Sequence, residues 1–166
     1  FGDWEEIPTP SIEDCLQLPE PMKRVASPVR RLAQMTGQSA YNPRTQQGFF
    51  RYLTIRASQA TGHLLACIVT AGGERQALEF MAESLASAHP ELMSVYWGIN
   101  RKVADVAVPD ELVLLRGEPY LDDRIGPFAL TLHPKNFVQP NLVMAQRMYD
   151  TLMSWLSGSP SQNAWD

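Results

Sequence analysis

The chain has 166 residues, 45% of them hydrophobic and 19% charged, with a net charge of −4. That length accommodates one domain with a substantial core, and the composition excludes a disordered or fibrous chain. The acidic balance counts against strong autonomous binding to nucleic acid, which needs a basic surface to neutralise phosphates, so any RNA contact is expected to be local.

Residues 1–19 are rich in acid and proline and read as an extended lead-in. Ser27-Pro28 gives a helix start, with Ser27 as N-cap and Pro28 at the first helical position. Val29, Leu32 and Ala33 or Met35 form its apolar stripe, and Gly37 stops it. Met22 and Val25 are assigned to a separate turn, because a proline disfavours helix in the residues before it. Arg51 to Ser58 alternates, with Leu53, Ile55 and Ala57 on one face and Tyr52, Thr54, Arg56 and Ser58 on the other. Leu64 to Val69 is continuously apolar, so the two segments predict a hairpin through residues 59–63 whose second strand is central in a sheet.

Leu78, Met81, Ala82 and Leu85 lie at helical spacing and place a helix from about Glu74 to Ala88. Met93, Val95, Trp97 and Ile99 alternate as a third strand, and further strands are expected at Leu112 to Leu115 and Phe128 to His133. Asp122-Asp123-Arg124 reads as a solvated acidic hairpin tip. The last element, Leu142 to Leu156, carries Leu142, Ala145, Met148 or Tyr149, Leu152 and Leu156 on one stripe, with Asn141 as N-cap and Gly158 and Pro160 as stop signals. This order predicts an α+β domain with helices packed on a largely antiparallel sheet over residues 20–134, followed by a connector segment at 135–166.

The longest apolar run, Leu64 to Val69, is far too short to span a bilayer, and Phe1-Gly2-Asp3-Trp4 does not resemble a secretory leader, so a soluble cytoplasmic protein without membrane contact is expected. No obligate protein partner is legible. Cys15 and Cys67 form no paired spacing, and neither a disulfide framework nor a complete metal site is readable. His63, His89 and His133 have no partner at ligand spacing and are read as ordinary surface or loop residues. No nucleophile elbow and no G-x-G occurs, and Gly72-Gly73 is read as a turn before the second helix. Because the chain opens on Phe1 and stops at Asn163-Ala164-Trp165-Asp166, where another apolar strand could begin, it is read as a piece of a larger protein.

The run ELVLLRGEPYLDDRIGPFALTLHPKNFVQPN, from Glu111 onward, resembles the RNA uracil-5-methyltransferases, in which a strand is followed by a Ser-Phe-Phe-Gln-x-Asn-like segment and a helix leading to the cofactor domain. The pattern falls on Asn136-Phe137-Val138-Gln139-Pro140-Asn141, with Asn136 in place of serine and Val138 in place of the second phenylalanine. Two further segments are similar to that family, GFFRYLTIRASQATGHLLACIVT to its paired strands and SIEDCLQLPEPMKRVASPVRRLAQ to its acidic-Cys step before a helix. SQNAWD resembles the start of its first cofactor-domain strand. The 23S rRNA branch looks closer than the tRNA branch.

The resemblance implies a central-domain fragment whose parent flips a uridine out of its stack, adds a cysteine thiolate to the ring and transfers a methyl group from S-adenosylmethionine. The catalytic cysteine, the general base and a Rossmann-like methyltransferase domain would lie beyond this chain, so it carries no catalytic residue, binds no cofactor alone and is expected to be inactive alone. Gln139 is the implied contact to S-adenosylmethionine, since its amide both donates and accepts hydrogen bonds; the alternative is a glutamine that only satisfies the start of the final helix. Phe137 is implied to stack beside the flipped base, against the alternative of core packing on the final helix. Arg51 and Arg56 are candidate RNA-phosphate contacts, with Arg44, Arg101 and Lys102 behind them, against ordinary solvated charge. Cys15 matches the fourth ligand of an iron-sulfur cluster in ribosomal-RNA members, the other three lying upstream, with Leu16 where a proline often follows. A different reading is a self-contained α+β binding or interaction module that shares only the strand and helix pattern.

Overall fold

A computed structural model describes residues 11–103 and 106–157. The sequence-based expectations for residues 1–10, the stop signals Gly158 and Pro160 and the SQNAWD segment lie outside the described residues. A 3₁₀ turn, Ile12–Asp14, precedes α1 (Glu20–Met35), β1 (Phe50–Ala57), β2 (Leu64–Thr70), α2 (Arg75–Ala88), β3 (Leu92–Ile99), β4 (Glu111–Gly117), β5 (Leu121–Ile125), β6 (Phe128–Leu132) and α3 (Leu142–Ser157).

The α+β architecture agrees with the sequence, but the main sheet is mixed. Its order is β1-β2-β3-β4. β1 runs antiparallel to β2 and β4 antiparallel to β3, whereas the central β2–β3 pair is parallel. A parallel pair requires a long crossover, and α2 supplies it by carrying the chain back to the starting end of β2. Gly73 opens that crossover at φ +111, with the Phe49 ring so close that a Cβ there would lie 2.0 Å from Phe49 Cε2. β2, apolar from Leu64 to Val69 and ending in Thr70, is buried at every position, as a central strand covered on both faces must be.

The start of α1 corrects a second expectation. The helix begins at Glu20, behind Pro19 at the N-cap and with Pro21 in its first turn, and it runs unbroken through Pro28. Ser27 is therefore not a cap; its hydroxyl donates to the Glu13 carboxylate. An interior proline costs about 3 kcal/mol, whereas burying one valine or leucine contributes roughly 1.5–3 kcal/mol. Met22, Val25, Val29, Leu32 and Ala33 all pack into one core with Leu64, Ile68, Leu78 and Met81, so the continuous stripe outweighs the lost hydrogen bond.

This core lies between the helices and the face of the sheet that carries Leu53, Ile55 and Ala57. The opposite face, with Tyr52, Leu65, Cys67, Val69 and Tyr96, packs against Leu121 and Leu132 of a separate two-stranded sheet, β5-β6. Here Asp122-Asp123-Arg124 is not a solvated tip: it lies within β5, and Asp123 is 2% exposed. Asp123 Oδ1 accepts the amides of Ala60 (3.0 Å) and Arg124 (2.9 Å), and Ser58 Oγ donates to the Asp122 carbonyl (2.8 Å), which ties β5 to the β1–β2 turn. The tip falls at Gly126, which has φ +53.

α3 starts at the expected cap: Asn141 Oδ1 accepts the amide of Met144 at 3.0 Å. Only Leu142 and Ala145 of its apolar stripe are buried, while Met148, Leu152, Met153, Trp155 and Leu156 are exposed. Among the described residues no helix is long and apolar enough to cross a membrane.

Candidate functional site

The segment between β6 and α3 crosses the second face of the main sheet and is pinned along its length. Arg56 Nη2 donates to the Asn136 carbonyl at 2.6 Å, and Lys135 Nζ donates to the Asp110 carbonyl at 3.0 Å. Asn136 closes the turn with its amide on the His133 carbonyl (3.0 Å) and its Nδ2 on the Thr131 carbonyl (3.2 Å). Val138 then packs into the apolar cluster around Leu65 and Tyr96. With Asn136 held on one side and Val138 partly buried on the other, Phe137 points outward and is 86% exposed. Core packing of Phe137 on α3 is thereby excluded.

Gln139 is also exposed, and Asn141 rather than Gln139 caps α3, so the helix start does not account for the glutamine. Gln139 lines a cleft of about 1070 Å³ between the 15–19 segment, β1 and the beginning of α3. Cys15, Arg56 and Arg147 line the same cleft. Three residues singled out from the sequence, Cys15, Arg56 and Gln139, thus meet there, and Arg56 links the cleft to the loop that carries Phe137. Burial lowers the pKa of Arg56, and its Nε is buried with no hydrogen-bond partner among the described residues.

Arg51 lies elsewhere, five residues and about 17 Å back along β1 from Arg56. Its guanidinium donates to the carbonyls of Asn100 (2.8 Å) and Lys102 (2.7 Å) and lies 4.4 Å from the centre of the Tyr41 ring. Those contacts hold the 100–102 segment in place. Arg101 pairs with Glu111, and Lys102 with Asp110 at 2.7 Å, so carboxylates offset both charges. Arg44 sits in an exposed turn in which its amide bonds Asn42 Oδ1 at 2.9 Å.

Cys67 is buried in mid-strand, and desolvation pushes its thiol up to about 12, so it stays a protonated core residue rather than a nucleophile. An iron-sulfur cluster needs four ligands, and the whole chain has two cysteines. Among the described residues no group of three His, Cys, Asp or Glu side chains could hold a metal ion. These residues do not make a cluster site, and Cys15 is one donor at the edge of the cleft.

Three residues near this loop were not singled out from the sequence: Lys135, Arg147 and Tyr120. Tyr120 meets the His133 ring at 5.4 Å, and the Tyr96 ring meets it edge-on at 5.5 Å. Sequence spacing alone could not join them, since they come from β3, the β4–β5 link and the end of β6.

A mixed sheet backed by two helices, with an exposed aromatic and amide on a pinned loop beside a largely apolar cleft that Arg56 and Arg147 also line, defines an α+β domain. The proteins it is similar to are RNA methyltransferases. A Bacillus cereus protein described as an uncharacterized RNA methyltransferase is 27% identical over 145 residues, covering 87% of this chain and 32% of the relative. The 23S rRNA (uracil(747)-C(5))-methyltransferase RlmC of a Shewanella species is 24% identical over 157 residues, covering 94% of this chain and 40% of the relative. The chain therefore spans about a third of the length of these relatives. The crystal structure of the Pyrococcus abyssi tRNA (uracil-54, C5)-methyltransferase in complex with S-adenosyl-L-homocysteine shares the fold, with a TM-score of 0.61 and 22% identity over 80% of this chain and 32% of that one. No protein-family model matches the chain.

Proposed function

We propose that this chain is the central domain and connector helix of a cytoplasmic, S-adenosylmethionine-dependent RNA uracil-5-methyltransferase. A uridine of 23S rRNA is the favoured substrate over tRNA, because RlmC is similar over 94% of the chain. The observation that carries the reading is the pinned 133–141 loop, which presents an 86% exposed Phe137 and an exposed Gln139 in a chain whose relatives are RNA methyltransferases. An exposed phenylalanine on a pinned loop offers a face for an unstacked base. The Gln139 amide can donate to a carboxylate and accept from an ammonium group, which suits the methionine end of the cofactor. The exposed apolar side chains of α3 from Met148 to Leu156 would be covered by the methyltransferase domain proposed to follow, which supplies the thiolate and the base. On this reading the central domain supports the RNA and is inactive by itself.

Methyl transfer by the full-length protein tests the assignment. Gln139→Ala is expected to raise KM for S-adenosylmethionine at least several-fold while thermal unfolding stays unchanged. An unchanged KM removes the cofactor role, and no methyl transfer to a uridine-containing rRNA fragment by the unaltered protein removes the function.

A further inference from the structure

Three rings stand in a row on the face covered by the loop. Tyr96 is 4% exposed and forms the floor, with its hydroxyl donating to the Pro119 carbonyl. The His133 ring stands edge-on to it at 84°, and Tyr120, the residue after Pro119, leans on His133 at 44°. Tyr120 is nonetheless 55% exposed. A core tyrosine would be covered, and a freely solvated one would not lean on a ring that itself rests on a buried third. Arg56 donates to the Asn136 carbonyl of this segment and Lys135 reaches from it to the Asp110 carbonyl, contacts to neutral acceptors that cancel neither charge.

We propose that Tyr120 and His133 form a stacking platform for an unpaired nucleobase of the RNA, distinct from Phe137; this rests on the RNA reading above. Base–aromatic stacking suits any base, because every base has a π-face, and it is strengthened where cations flank the ring and can meet the phosphates. Glu118 and Asp122 neighbour Tyr120 in sequence and repel phosphate, so the RNA backbone runs on the Arg56 and Lys135 side. His133 is suited to stacking as a neutral ring. Burial first, then Lys135 and Arg56, lower its pKa, and Nδ1 accepts the Lys135 amide at 3.3 Å, which leaves Nε2–H as a donor for a base edge or phosphate. His133 precedes Phe137 by four residues, at most about 14 Å of chain, so one loop would hold two splayed bases.

The test uses the full-length protein and a short single-stranded, uridine-rich RNA carrying 5-iodouridine, with affinity read by fluorescence anisotropy at fixed ionic strength. Tyr120→Ala is expected to weaken binding about 5- to 150-fold, as loss of one stacked base does, while Tyr120→Phe, which keeps the ring, stays within about twofold. Irradiation is expected to crosslink the RNA to the peptide containing Tyr120 or His133, a readout that a purely structural tyrosine would not give. If Phe137→Ala weakens binding but Tyr120→Ala does not, the platform is refuted and the RNA reading stands. If the unaltered protein does not bind the RNA, both fall.

Discussion

Arg56 holds the carbonyl of Asn136 at 2.6 Å across 80 residues of sequence, so a strand in the first half of the chain sets the loop that carries Phe137 and Gln139. The contact explains why Arg56 tolerates partial burial: a guanidinium cannot shed its proton, and a carbonyl dipole replaces part of the lost hydration.

Arg56→Ala should therefore free the loop before it unfolds the domain. A hydrogen bond from a charged group contributes about 1.5–3 kcal/mol, and that loss is expected in urea unfolding. Amide exchange at 136–139 should rise more than exchange in β2, whose residues are fully buried. Uniform acceleration across both segments would show that Arg56 supports the whole sheet rather than the loop.

Neighbouring carboxylates in β5 should behave differently. Asp123→Ala leaves the Ala60 and Arg124 amides without their acceptor in a buried site, at about 1–3 kcal/mol for each orphaned group, whereas Asp122→Ala, whose side chain is exposed, should fall within about 0.5 kcal/mol. Equal costs from the two substitutions would return this segment to a solvated turn.

Periodicity made the strands legible where one face is buried: Leu53, Ile55 and Ala57 do face the helices, and Tyr52 faces away. It could not reveal which way β2 and β3 pair, because parallel and antiparallel strands bury the same apolar residues; only the intervening helix distinguished them. β5 was missed because its alternation is written in Leu121 and Asp123, and a buried aspartate reads as a surface residue until its amide donors are seen. At the site, the family resemblance singled out Phe137 and Gln139, but the sequence showed neither the tether from Arg56 to Asn136 nor the ring stack on His133. Both join residues far apart in sequence, and neither leaves a spacing to read.

Pro28 offers a test of how packing overrides local propensity. The helix around it is continuous from Glu20 to Met35, so alanine there would restore an interior amide without moving the stripe formed by Val25, Val29 and Leu32. Propensity favours alanine by about 3 kcal/mol, partly offset by about 0.4–1 kcal/mol from the greater freedom of the unfolded chain. Pro28→Ala is accordingly expected to raise stability by about 2–2.6 kcal/mol, read as a higher urea midpoint at constant m-value; a lower midpoint would mean that the helix needs the proline's fixed φ.

Cys67 makes stability fall at alkaline pH. Its thiol is pushed from an ordinary 9.0 up to about 12 by burial, so between those values the unfolded chain has released a proton that the folded chain still holds. With fewer protons bound in the unfolded state, unfolding free energy decreases as pH rises, by at most about 1.4 kcal/mol per pH unit, and the contribution is fully present below pH 9. The buried Tyr96 hydroxyl, whose pKa is also raised by burial, acts with the same sign at higher pH. Cys67→Ala removes the first effect and leaves the second, so urea midpoints of the variant and parent should converge between pH 8.5 and 10.5, the parent losing more. Parallel midpoints over that range would show that the thiolate is tolerated inside the sheet. As an independent check, a thiol reagent at pH 8 should modify the part-exposed Cys15 in the folded protein and reach Cys67 only after denaturant is added.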